Sequence, residues 1–464
     1  MSLAAETLPR SLREAILTLL AVLATLASTQ CVAPGPASAV LGVVLSLSLS
    51  RSHLAGDRRG RRDALLALPI VSLACVGVGA LLRHAPWAGA AVFVAGMALS
   101  VWMRRFGPAA LRAGSLIALP LVTILVVPHL ARHGEGALSA ILVPMAVALA
   151  ALAWVELVQA LGRRIGWMAA PTAVDAASAG PRAASAMRPS PSTRMALQMA
   201  AALAASFVVG YLFFPSHWSW IVLTALIVNS GNRGRQDVVY KSALRVLGAA
   251  AGTLLAMAVS SQAAVHGATA ATLILACVFL GVWLRPLGYG WWALFVTLAL
   301  ALLQALQAPE PQSLAFVWQR LMEIAIGALL GLGAAWFVYP IRSTDVLRRR
   351  LADALAAMGE AMDPQTDTRR GDAIVAAIAQ VEQLRPSFHA RHLALRRWQA
   401  VQPVDWINTL TACRAPAIAL VERGEAPGVV RKAIGSARKA MREPAEILPA
   451  LMALRQALDR YESV

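Results

Sequence analysis

The chain has 464 residues, of which 58% are hydrophobic and only 14% charged, well below the roughly 25% charged of an ordinary soluble domain, and this excludes a set of water-soluble domains. Its 42 Lys and Arg against 24 Asp and Glu give a net charge of +18. Only Lys241, Lys432 and Lys439 are lysines, and the arginines cluster between apolar stretches rather than along one basic face, which fits the positive-inside rule of membrane proteins and argues against nucleic acid as a partner.

A bilayer core of about 30 Å takes roughly 20 helical residues. Apolar runs bounded by Arg or by Pro/Gly turns predict spans at residues 14–31, 36–50, 64–82, 87–103, 113–128 and 137–160. The first has the outline of a secretory signal, but its match to the seventh span makes it a retained helix. Residues 163–193, rich in Ala, Pro and Ser, predict a flexible cytoplasmic linker. A second set of spans follows at 195–213, 217–230, 243–260, 267–284, 289–307 and 315–339. Arg-rich loops at Arg51–Arg62, Arg104–Arg112, Arg233–Arg245 and the Arg285 turn alternate with cation-poor loops such as His129–Gly136 and Gln307–Gln312. That alternation places both termini in the cytoplasm, in a bacterial-type inner (plasma) membrane.

The two sets match at an offset of about 181 residues. V-W-M-R-R-F-G aligns with V-W-L-R-P-L-G, pairing Val101, Trp102, Arg104 and Gly107 with Val282, Trp283, Arg285 and Gly288. Arg13 pairs with Arg194, Pro34 with Pro215 and, with one residue of slippage, Trp154 with Trp336. An even number of spans per set makes the repeats parallel. After Pro340, charges recur at helical spacing, with breaks at Asp363-Pro364, Gly424 to Gly428 and Glu443-Pro444 that predict about four helices. The predicted architecture is an all-α polytopic membrane protein. It comprises a six-helix transmembrane repeat over 1–162, the linker over 163–193, a second six-helix repeat over 194–340 and a cytoplasmic α-helical domain over 341–464.

No local catalytic signature is present. Lys241-Ser242 lacks the glycines of a phosphate-binding loop, and neither a metal-hydrolase nor a Ser-His-Asp motif is found, although a triad assembled from distant residues stays open. Cys31, Cys75, Cys277 and Cys413 lie far apart without metal-ligand spacing. No enzyme activity, cofactor or metal is expected.

The most informative segment runs from Pro215 to Ala256. Its span is short, opens after Pro215 and ends in Asn229, Ser230 and Gly231; the corresponding second span opens after Pro34-Gly35-Pro36 and ends in Ser46, Ser48 and Ser50. Interrupted spans at matching positions of two repeats point to a substrate site, with plain hairpin geometry as the alternative. The Trp-containing span, the Asn232-Arg233-Gly234 turn and Arg245 leading into a Gly248/Gly252 helix resemble the fusaric acid resistance protein-like (FUSC) family, related to the aromatic acid exporters. R-L-M-E-I-A-I-G-A-L-L-G from Arg320 to Gly331 strengthens the resemblance. The chain departs from many relatives in its short linker, and its sixth span lacks the Arg/Glu pair, so the halves differ in role.

The resemblance implies export of aromatic carboxylates driven by the proton motive force. Expected substrate-binding residues are Trp218 and Trp220 by stacking, Asn229, and Arg233, Arg235 and Arg245 at the cytoplasmic mouth; Trp291 and Trp292 are further stacking candidates. Arg320 and Glu323, at i,i+3 on one helix face, are expected to couple protons or else to lock helices together as an ion pair. Glu156 and the helix-entrance His217 are weaker candidates. Gly248-x-x-x-Gly252 and Gly327-x-x-x-Gly331 are expected to pack helices closely. The expected partners are a small organic anion and membrane lipid, and a homo-oligomer stays open. The rival reading is a non-transporting membrane scaffold whose cytoplasmic domain recruits a partner.

Overall fold

The computed structural model describes residues 2–51, 58–126, 137–168, 190–260, 267–307, 314–363, 371–395 and 402–462. Most of the predicted linker lies outside them. Among the described residues every regular element is a helix. The first six α-helices are α1 (Ser2–Val32), α2 (Pro36–Arg51), α3 (Arg58–His84), α4 (Pro86–Trp102), α5 (Pro108–Val126) and α6 (Ala137–Arg164). The next six are α7 (Pro191–Phe213), α8 (Trp218–Asn229), α9 (Arg235–Ser260), α10 (Ala268–Trp283), α11 (Tyr289–Gln307) and α12 (Leu314–Phe337). Each overlaps a span read from the sequence, although α1 and α9 begin twelve and eight residues earlier. Eight of them, α1, α3, α4, α6, α7, α9, α11 and α12, are long and apolar enough to cross a membrane; α2, α5, α8 and α10 are shorter apolar helices.

The chain forms two compact units. The first holds α1 to α8, α9 from Lys241 onward, and α10 to α12 as far as Tyr339. Within it α1, α2 and α6 pack on one another, as do α7, α8 and α12. Across the two sets, α4 packs against α7 and α10 against α1. Glycines set the closest approaches: a Cβ on Gly248 would stand 2.8 Å from the Ala293 side chain, and one on Gly252 only 2.6 Å from the Leu294 carbonyl oxygen, so α9 and α11 meet almost backbone to backbone.

The second unit holds Gly231–Tyr240 together with Pro340–Val464. Its helices are α13 (Ser343–Ala361), α14 (Asp372–Glu382), α15 (Arg385–Leu395), α16 (Pro403–Ala412), α17 (Arg414–Glu422), α18 (Gly428–Ala440) and α19 (Pro444–Glu462). These are seven, where the sequence breaks predict about four. The additional starts lie at prolines tolerated in a helix's first turn: Pro386 in α15, Pro403 in α16, where Gln402 and Asp405 close a capping box, and Pro416 in α17. Leu351, Leu355, Met358, Ile378, Ile407, Leu410, Leu454 and Leu458 form a fully buried core.

The Asn232-Arg233-Gly234 turn is part of this second unit. Asn232 Oδ1 accepts from the Gly234 amide (2.6 Å) and Asp237 Oδ2 from the Arg233 amide (3.2 Å). Ser343 Oγ accepts from the Gln236 amide at 3.0 Å and the Ile341 carbonyl from that of Arg235 at 3.2 Å. Gly234, at φ +118°, would bring a Cβ within 2.6 Å of Ser343 Oγ, so only glycine suits the position.

Candidate functional site

The site is built in the first unit by α8, α9, α11 and α12. Pro215 ends the preceding stretch, His217 immediately precedes α8, and after twelve residues the helix stops before Ser230. Gly327 and Gly331 of α12 let α8 lie directly on that helix, since a Cβ on Gly327 would fall 2.4 Å from the Ile221 carbonyl oxygen and one on Gly331 2.7 Å from Asn229 Nδ2. This contact carries Trp220 to Arg320, whose guanidinium carbon lies 4.0 Å from the ring centroid. The equally tight α9–α11 contact carries Arg245 to Thr297.

Arg245 and Arg320 are the two largest fully buried side chains of the described residues, 1% and 2% exposed. Arg245 stands ten residues into α9, about 15 Å along its axis. Arg245 Nη1 donates to Thr297 Oγ1 at 2.9 Å, and that hydroxyl donates onward to the Ala293 carbonyl at 2.7 Å. Arg320 Nη1 donates to Gln304 Oε1 at 2.9 Å. In both arginines Nε and Nη2 are buried without a hydrogen-bond partner. Those two nitrogens share one edge of the guanidinium, the edge that grips both oxygens of a carboxylate. Thr224 Oγ1 and Asn229 Oδ1, on α8, are likewise buried and unpartnered. Arg245 and Arg320 are near enough to act on each other electrostatically, and an unneutralised buried charge is costly in an apolar medium. The arrangement therefore offers bidentate donors to an anion.

Glu323 is 1% exposed, yet it does not pair directly with Arg320, as the ion-pair expectation requires. One helical turn back, Gln319 Nε2 donates to its Oε1 at 3.0 Å, and His217 Nδ1 lies 3.8 Å from the same oxygen. Gln319 Nε2 also reaches His217 Nδ1 at 3.1 Å, and Ser216 Oγ lies 2.9 Å from that nitrogen. The i,i+3 spacing put Arg320 and Glu323 on one face, but Gln304 and Trp220 draw the guanidinium one way while Gln319 and His217 draw the carboxyl the other.

The remaining expected residues separate. Trp218 and Trp220 point to different sides of α8: Trp218 packs in an aromatic cluster with Phe207 and Tyr211, at ring separations of 5.4 Å from each. Asn229 is buried against Gly331 and donates from Nδ2 to the Ala225 carbonyl at 3.0 Å. Arg233 lies in the second unit, where its Nη1 donates to the Gln383 carbonyl at 3.0 Å, and Arg235 begins α9 in that same unit. Trp292 lies under Arg51, 3.8 Å from guanidinium carbon to ring centroid, while Trp291 is exposed beside Phe295. Glu156 is half-buried on α6, away from these groups in sequence and helix. The reading of the sequence missed Thr297, Gln304 and Gln319, and undervalued His217. The available signal was a lone polar residue inside an otherwise apolar helix, as in L-F-V-T-L-A and A-L-L-Q-A-L.

The helices that build the site fall almost wholly in one segment. Residues 201–334 match the sequence model of the fusaric acid resistance protein-like family. The matched segment holds every residue of the site and excludes α1–α6 and everything after residue 334. No curated protein matches the chain. The eight long apolar helices mark a multi-pass membrane protein, and its residues 201–334 are similar to the fusaric acid resistance protein-like family.

Proposed function

We propose that the protein exports small organic anions, aromatic carboxylates foremost, across a bacterial-type inner membrane, driven by the proton motive force. The observation that carries this reading is the pair of buried guanidiniums, Arg245 and Arg320, each with its Nε/Nη2 edge unpartnered in the segment matched to the family. Trp220 supplies an aromatic wall beside them. Arg233 and Arg235 lie ahead of Arg245 in sequence and would draw anions toward the cytoplasmic mouth, and Glu323 would exchange the coupled proton. The inside-negative membrane potential favours outward movement of an anion.

The same reading takes α1–α6 and α7–α12 as two parallel six-helix repeats with cytoplasmic termini. It is supported by the reciprocal packing of α4 on α7 and of α10, the fourth helix of its set, on α1. Cysteines placed at Ser216 and Arg342 should label from opposite sides of the membrane; labelling from one side overturns the topology. Function is tested by intracellular retention of hydroxylated aromatic acids in a deletion strain. Retention restored to normal by the parent chain, and not by Arg245→Met, supports export. Unchanged efflux with altered envelope assembly would instead favour the scaffold.

A further inference from the structure

In the second unit, α18 and the turn after it carry Arg431, Lys432, Arg438, Lys439 and Arg442, all exposed, with no acid between the first and the last. At about 100° per residue the five fall within an arc of roughly 120°. Val430, Ile434, Ala437 and Ala440 take the other side of the helix and are buried. Gly435 lies inside the cationic arc, and a Cβ there would meet nothing within 4 Å, so that position faces open space. Among the described residues none of the five cations is ion-paired, although Glu446 of α19 lines a groove beside Lys439. On α19 the charges alternate instead, with Arg455 and Asp459 paired at 3.6 Å, and a surface built for solubility mixes both signs in this way. The cationic face is also held in place. α18 packs on α13, and Arg348 of α13 donates from Nε to the Met441 carbonyl and from Nη2 to the Arg442 carbonyl, both at 2.8 Å.

We infer that this face of α18 binds the headgroups of anionic phospholipids. Clusters of four to eight Lys and Arg on one side of a helix gather anionic lipid, each cation near such a surface contributing about fivefold in affinity. Guanidinium and ammonium groups donate directly to phosphate oxygens. The connectivity of the chain favours lipid over an acidic protein. Only residues 338–342 separate α13 from α12, a helix long and apolar enough to cross a membrane, and five extended residues reach at most about 18 Å. A bilayer surface is therefore a polyanion that the unit meets at high effective concentration, whereas a protein partner must be drawn from solution against its translational entropy. The inference is independent of the anion site on α8–α12.

The chain has three lysines, Lys241, Lys432 and Lys439, so brief acetylation by a neutral reagent, read peptide by peptide in a mass spectrometer, reports on this face without altering it. The purified full chain is placed in nanodiscs wide enough to leave free bilayer around it, made of phosphatidylcholine alone or with phosphatidylglycerol added. At low salt Lys432 and Lys439 should react several-fold more slowly in the discs containing phosphatidylglycerol. In about 1 M salt, where the screening length falls to about 3 Å, the two kinds of disc should give the same rate. The triple variant Arg431→Gln, Arg438→Gln and Arg442→Gln, altered only at exposed positions, should bind the lipid roughly a hundredfold more weakly and react at the phosphatidylcholine rate, with the parent's melting temperature. Equal rates for the parent in both discs at low salt overturn the inference, as does slowing that persists in high salt or in the triple variant. Slowing by added polyglutamate and not by phosphatidylglycerol overturns it in favour of an acidic protein partner.

Discussion

Arg320 lies over the Trp220 ring with its guanidinium carbon 4.0 Å from the ring centroid. Both side chains are buried, and a desolvated cation–π contact is worth about 2 kcal/mol. Trp220→Leu should lower the stability of the purified protein by about that amount, and Trp220→Phe by less, because the smaller ring keeps part of the attraction. Thermal unfolding in detergent measures both. Equal effects of the two substitutions would show that Trp220 acts by volume alone.

Arg245 gives the opposite expectation for stability. Its charge is buried, Thr297 is its one hydrogen-bonded partner, and no acid pairs with it. Replacing such a group by an apolar residue of similar length is often neutral or stabilising. Arg245→Met should therefore melt no lower than the parent while losing benzoate binding. Arg245→Lys keeps the charge but not the two-nitrogen edge, and should bind more weakly than the parent but better than Arg245→Met.

Two glycines of α12 separate packing from helix propensity. A Cβ at Gly327 would stand 2.4 Å from a backbone oxygen of α8, whereas one at Gly333 meets nothing within 4 Å. Gly327→Ala should destabilise by about 1–3 kcal/mol. Gly333→Ala should be neutral or stabilising by up to about 1 kcal/mol. The comparison is again made by thermal melting.

In the C-terminal unit, burial pushes the Cys413 thiol up to about 12. It is thus protonated and shielded at neutral pH, and rising pH brings its ionisation only near that value. Maleimide should leave Cys413 unmodified in the folded protein and modify it once the unit is unfolded, as read by mass spectrometry. Cys31, exposed on α1, should react without denaturant where the membrane mimetic leaves it accessible.

The helices were legible because apolar runs of this length have one common outcome: residues 289–307 match α11, Tyr289–Gln307, whereas α1 and α9 begin twelve and eight residues ahead of their apolar runs, in polar turns that hydropathy does not mark. The site was legible only in its charges. Arg245, Arg320 and Glu323 stand out in apolar surroundings, and the two Gly-x-x-x-Gly pairs announced close contacts. Which side chain meets which was not legible. Trp218 and Trp220 sit two residues apart and serve different neighbours, a split set by how α8 is wedged between α7 and α12. Arg233, read as part of the mouth, joins a turn held by Ser343 and Gln383, more than a hundred residues further on.

The glycine contacts have a mechanical consequence. α8 and α12 lie almost backbone to backbone along Gly327 and Gly331, as do α9 and α11 along Gly248 and Gly252, which leaves little room for sliding within either pair. Each pair is a stiff plate. Trp220 and Arg320 ride on one plate, Arg245 and Thr297 on the other, and the Arg320–Gln304 hydrogen bond crosses between them. Spreading the plates costs that crossing bond and exposes both guanidinium edges at once, so under the proposed function the anion's doorway and its clamp would be the same seam.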